Sequence, residues 1–127
     1  MANVLLVGIG GFIGSVLRYV LSGLVQEMTK RDDFPVGTLA VNVIGCFVIG
    51  LLSQLAEARG AFSPETRAFV FIGILGGFTT FSSFGNETMN LWRDGEAFLA
   101  FVNVASQLVL GLGAVWLGRV LAHTIWG

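Results

Sequence analysis

The sequence predicts an all-α membrane protein with four transmembrane helices per subunit, the third broken near its middle. Three observations carry this. The chain is 54% hydrophobic and only 12% charged, where an ordinary soluble domain is about 25% charged. Its apolar residues fall into four runs, each near the roughly 20 residues that cross a hydrocarbon core. The third run is interrupted by "GGFTTFSSFGNE", residues 76–87, which brings hydroxyls, an amide and a carboxylate to membrane depth. Four spans leave only short connections in 127 residues, so residues 1–127 form a single four-helix transmembrane domain.

The first span is placed near residues 3–25. No basic n-region precedes it and it is too long for a signal-peptide core, so it is read as a retained helix. Within "GIGGFIGS", Gly10 and Gly14 are four apart, as are Gly11 and Ser15. Such spacing lets backbones approach closely, within or between subunits. Arg18 in the same helix is costly in lipid. It either snorkels toward the near end of the span with a structural hydrogen bond, or draws anions into a vestibule.

The second span, near residues 38–56, carries Asn42 in "GTLAVNVIG" and the lone Cys46. One cysteine makes neither an intrachain disulfide nor a multi-cysteine metal site, and Cys46 is read as packing. In the connection that follows, Ser63 is suited to cap a helix that begins at Pro64 with Glu65 in its first turn.

The third span is placed near residues 67–92. Gly76 and Gly77 each lower helix propensity by about 1 kcal/mol relative to alanine, and the next two threonines compete for backbone groups. A break is therefore expected around residues 76–80. Beyond it, Thr80, Ser83 and Glu87 fall on one helical stripe, and Phe81, Phe84 and Thr88 on the neighbouring one. Backbone freed at such depth must be satisfied by protein, water or an ion. The alternative is a glycine kink repaired by hydroxyls that bond back to the chain. Glu87, two turns inside Trp92, is either protonated or held by hydrogen bonds.

The fourth span, near residues 97–123, brings Asn103, Ser106 and Gln107 at spacing i, i+3, i+4. With Asn42 they line one pathway or serve as interhelical glue. Many neutral donors with a single carboxylate suit an anion. Trp92, Trp126 and Tyr19 are placed near span ends, where amphipathic rings favour the interface; Trp116 fits that rule less well.

With four spans both termini lie on one side. That side counts Arg59, Arg67 and Arg119 against Lys30, Arg31 and Arg93 opposite, with Arg18 buried nearer the second group. So even a balance hardly specifies an orientation and leaves insertion in both directions open. Four short helices also enclose little volume, which favours an oligomer. A net charge of −1 gives no electrostatic case for nucleic acid. His123 has no partner pattern, and no Ser/His/Asp set, P-loop, HExxH or CxxC is present, so an enzyme lacks residues to carry it.

"GGFIGSVLRY" in the first span, "GTLAVNVIGCFVIG" in the second and "GILGGFTTFSSFGNE" in the third, in that order over nearly the whole chain, resemble the Fluc (CrcB-type) fluoride channels. The resemblance implies an antiparallel, dual-topology homodimer in the cell membrane with two pores that export fluoride passively. It also implies a structural sodium ion, held by the backbone carbonyls of Gly76 and Thr79. It makes Asn42 the pore asparagine and Phe81 and Phe84 the rings along the path, with Thr80, Ser83 and Glu87 as the polar track. Asn103 and Gln107 stand where the family has aromatic or histidine and serine residues, yet both still donate hydrogen bonds. Fluoride is small and strongly hydrated, so a dry pore must replace its water with donors, to which phenyl edges add weak attraction. Two rivals remain. A small four-helix proton-coupled multidrug exporter normally needs a carboxylate early in its first span, which here holds Arg18 and no acid. A noncatalytic membrane subunit would use the polar stripes for packing alone.

Overall fold

The computed structural model describes residues 1–60 and 62–127. Ala61, in the connection after the second span, lies outside the described residues. Four helical spans long and apolar enough to cross a membrane account for nearly all the rest, and no strand occurs among the described residues. Helix α1 is Ala2–Thr29, α2 is Val36–Arg59 and α6 is Ala97–Trp126. The third span, Pro64–Arg93, is divided into α3 (Pro64–Arg67), a π-helical segment (Ala68–Leu75), α4 (Gly76–Phe78) and α5 (Phe81–Arg93).

The helices outrun the hydropathy limits. Helix α1 continues to Thr29 rather than ending near residue 25, since polar residues hold helical geometry outside the hydrocarbon. Hydropathy registers only the part that must be dry. One consequence corrects the placement of Tyr19, which sits well inside α1, whereas Trp92 and Trp126 do lie at the ends of α5 and α6.

Each helix end has an identifiable stop. Lys30 (φ 54°) and Gly60 (φ 57°) adopt the left-handed conformation, and the Gly60 N–H bonds the Ala56 carbonyl at 2.8 Å. At Gly60 the missing Cβ makes that conformation cheap. Ser63 caps α3 as expected, its hydroxyl accepting from the Thr66 N–H at 3.2 Å. The first connection is organised by Gln26. Its Oε1 accepts from the Gly37 N–H at 2.9 Å, and its Nε2 donates to the carbonyls of Phe34 and Arg31. On this exposed loop the Arg31 guanidinium donates twice to the Asp33 carboxylate, which lowers the carboxyl's affinity for a proton and raises that of Arg31. Screening by water makes such a pair a minor stabiliser.

Packing divides the bundle into two pairs. Helix α2 lies along α6, while α1 packs on the π-helical segment and α4. Small residues set these approaches. A Cβ at Gly14 would overlap the carbonyl of Ile74, and one at Gly77 would stand 2.8 Å from the Gly11 carbonyl oxygen. The small-residue face of the first span is therefore used inside the subunit. After the break the chain changes partner, and α5 packs on α6 instead. At the end that holds the termini, Arg119 pairs with Glu57 at 3.2 Å and Arg59 Nε donates to the Trp126 carbonyl at 3.2 Å.

Candidate permeation site

The break in the third span is at Thr79 and Thr80, not at the glycines. Gly76 and Gly77 remain helical, and the backbone becomes extended at Thr79 (φ −89°, ψ 159°) and Thr80 (φ −149°, ψ 119°). The break thus falls within the expected interval, at its threonine end. β-Branched residues tolerate extended backbone better than helix, and the hydroxyls complete the change. Thr79 Oγ1 donates to the Leu75 carbonyl at 3.1 Å, ending α4, and Thr80 Oγ1 accepts from the Ser83 N–H at 3.1 Å, starting α5. The glycines serve the contact with α1. Upstream, the Gly76 N–H reaches back to the Phe71 carbonyl, a bond one residue wider than an α-helical one.

Asn42 on α2 closes the gap. The Thr80 N–H donates to Asn42 Oδ1 at 2.8 Å and Asn42 Nδ2 donates to the Thr80 carbonyl at 3.0 Å, so the side-chain amide pairs with Thr80 as a neighbouring strand would. Those two bonds leave one orientation for the amide. Nδ2 then also donates to Gln107 Oε1 at 3.0 Å, which turns the nitrogen of Gln107 away from Asn42. Gln107 Nε2 is buried and has no partner among the described residues.

These groups face a cleft of about 360 Å³ whose walls include Asn42, Gly76, Thr79, Thr80, Phe81, Phe84 and Gln107. The rings of Phe81 and Phe84 stand edge to face, 5.4 Å apart at 64°. Phe81 is 81% exposed, and no residue of α5 is buried against the rest of the chain. Five of the sequence-predicted pore residues, Asn42, Thr80, Phe81, Phe84 and Gln107, line this cleft, and Ser83 adjoins it through its bond to Thr80.

Glu87 lies further along α5, beside a second cleft of about 420 Å³ that also includes Asp33, Asn90 and Asp94. Its Oε2 accepts from Thr38 Oγ1 at 2.9 Å, while Oε1 has no partner. Thr38 escaped the sequence reading, although it stands one turn before Asn42 on the same face. Asn103 is wholly buried and lines neither cleft. Its Nδ2 donates to Thr88 Oγ1 at 2.9 Å, and Thr88 in turn donates to the Phe84 carbonyl at 2.7 Å. Asn103 Oδ1 is left unpaired. Ser106 bonds back to the Val102 carbonyl.

Arg18 donates from Nε to the Gly77 carbonyl at 3.1 Å. The structural hydrogen bond expected of Arg18 is therefore present. The break also frees carbonyls. Thr80 N–H and Ser83 N–H, which a continuous helix would give to Gly76 and Thr79, go instead to Asn42 Oδ1 and Thr80 Oγ1. Hard, neutral oxygens of this kind suit an alkali cation.

Residues 5–119 match the family described as "CrcB-like protein, Camphor Resistance (CrcB)". The chain is similar to "Fluoride-specific ion channel FluC 3" of Methanosarcina barkeri, at 48% identity over 96% of this chain and 91% of the relative. It is also similar to the "Fluoride-specific ion channel FluC" proteins of Methylobacillus flagellatus (48%, 93% and 92%) and Parabacteroides distasonis (50%, 98% and 96%). Identity near one half, sustained over 93% to 98% of the chain, reaches from the first apolar helix into the last, and the chain belongs to the CrcB family.

Proposed function

We propose that this protein is a multi-pass membrane channel that lets fluoride leave the cell down its electrochemical gradient. The observation that carries the reading is the cleft at the break. There a buried amide donor and two phenyl rings edge a gap in the third span, and relatives alike over the whole chain are fluoride-specific channels. Neutral donors replace the water of a small anion, and the absence of a fixed cation among the cleft's lining residues keeps the ion from being trapped. A membrane potential contributes about 2.3 kcal/mol per 100 mV for each charge moved, enough to drive export from a negative interior without ATP. The proton-coupled exporter reading lacks its carboxylate, since the first acidic residue of α1 is Glu27, in the helix's last turn.

The assembled channel is an antiparallel homodimer of dual topology with two pores. Support comes from α5, none of whose residues is fully buried within one subunit, and from the balanced basic residues at the two ends. A sodium ion between subunits would be held by the Gly76 and Thr79 carbonyls and would neutralise their converging dipoles.

The deciding experiment is efflux from proteoliposomes with a potassium ionophore. Fluoride should leave and chloride should stay. Retention of fluoride rejects the proposal, and proton-coupled drug uptake would favour the exporter. For the assembly, cysteines introduced in the first and second connections should both be labelled from each side of the membrane.

A further inference from the structure

We infer that Gln107, rather than Asn42, presents the free amide donor to the permeating anion, and that Asn42 acts as the latch that holds the break in shape. This deepens the channel reading and rests on it. Asn42 makes three hydrogen bonds inside the chain, accepting from the Thr80 N–H and donating to the Thr80 carbonyl and to Gln107 Oε1. Both of its amide hydrogens are committed. Gln107 spends only its oxygen, and the bond that spends it also aims the nitrogen. Nε2 is buried, unpaired and at the wall of the same cleft as Phe81 and Phe84. A buried donor without a partner is costly, and an anion arriving in the cleft would relieve that cost only while it is bound. Gln107 thus has two tasks, a positioning one through Oε1 and a ligand one through Nε2.

Two substitutions separate the tasks. Gln107→Met keeps the length and removes both groups. Gln107→Glu keeps an acceptor for Asn42 and replaces the donor with an oxygen, charged when ionised and able to donate when protonated. Other titratable or charged groups near the cleft are Cys46 on α2, Glu87 on α5 bonded to Thr38, and Arg18 on α1 bonded to Gly77. On α6 itself, Arg119 and His123 lie about three turns or more away. The wild type carries all of these, so its own pH profile is the baseline.

Fluoride efflux from proteoliposomes is measured for the three proteins at about pH 6 and pH 8.5, a range in which a carboxyl raised by burial changes state. Gln107→Met should slow efflux about tenfold, with the wild-type elution profile retained. Gln107→Glu should be as slow at the alkaline end and recover several-fold on acidification relative to wild type. Wild-type efflux from Gln107→Met would overturn the inference, as would a Gln107→Glu defect equal at both pH values, which means packing alone. Should Gln107→Met fail to fold, Gln107→Glu decides by its pH response. A wild type that passes no fluoride overturns the channel reading itself; a conducting wild type with unaffected variants overturns this inference alone.

Discussion

Arg18 and Gly77 are 59 positions apart in sequence, yet the guanidinium of the first holds the carbonyl of the second at 3.1 Å in the middle of the bundle. The bond ties α1 to the last turn before the break. Replacing Arg18 with Met should lower stability by about 1.5 kcal/mol, the lower end for a charged donor because the pair is only partly buried. A thermal melt of the detergent-solubilised protein reads this as a lower midpoint. An unchanged midpoint would show that the bond contributes nothing.

Asn42 and Thr80 give an ordered pair of expectations. Asn42→Leu leaves both the N–H and the carbonyl of Thr80 without their side-chain partner and should cost about 3 kcal/mol. Thr80→Val removes only the hydroxyl cap of α5 and should cost about 1 kcal/mol. If denaturation placed Thr80→Val as the worse of the two, the amide latch would not be what holds the break.

Gly77→Ala tests the close approach of α1. The new methyl would meet the Gly11 carbonyl oxygen at 2.8 Å, and separating the helices should cost about 1 to 3 kcal/mol. Gly8→Ala, with nothing within 4 Å of the added carbon, should leave stability unchanged or raise it. Equal melting of the two variants would count against the packing account.

Phe84→Ile removes a ring edge from the cleft while preserving apolar bulk. Fluoride efflux should fall by about tenfold, equivalent to roughly 1.4 kcal/mol on the barrier, and the protein should elute from a sizing column as wild type does. Normal flux would take the ring off the path.

The four spans were legible because hydrocarbon admits few structures, so a run of apolar residues is close to a statement of architecture. The polar stripe on α5 was legible for a related reason, since nothing but function or a buried contact keeps Thr80, Ser83 and Glu87 at that depth. Two things were not. The position of the break within the expected residues 76–80 could not be read from propensity alone, since a glycine in a membrane helix is also the means of bringing two backbones together, and here contact with Gly11 outweighs propensity. The pairing of Asn42 with the Thr80 backbone depends on how α2 is rotated against the third span. Spacing within one helix carries no information about that angle, which is also why Thr38 and its bond to Glu87 went unseen.

The widened turn of Ala68–Leu75 has an implication for length rather than identity. An α-helix turns roughly 100° per residue, so removing any single residue from this stretch would let it rewind. Because the widened turn absorbs a surplus residue, the α-helix left behind would still direct Thr80 toward Asn42 and the two phenyl rings toward their wall. A one-codon deletion within these eight positions should therefore be tolerated, whereas the same deletion within the regular α5 would turn the rest of that helix by about a quarter of a revolution.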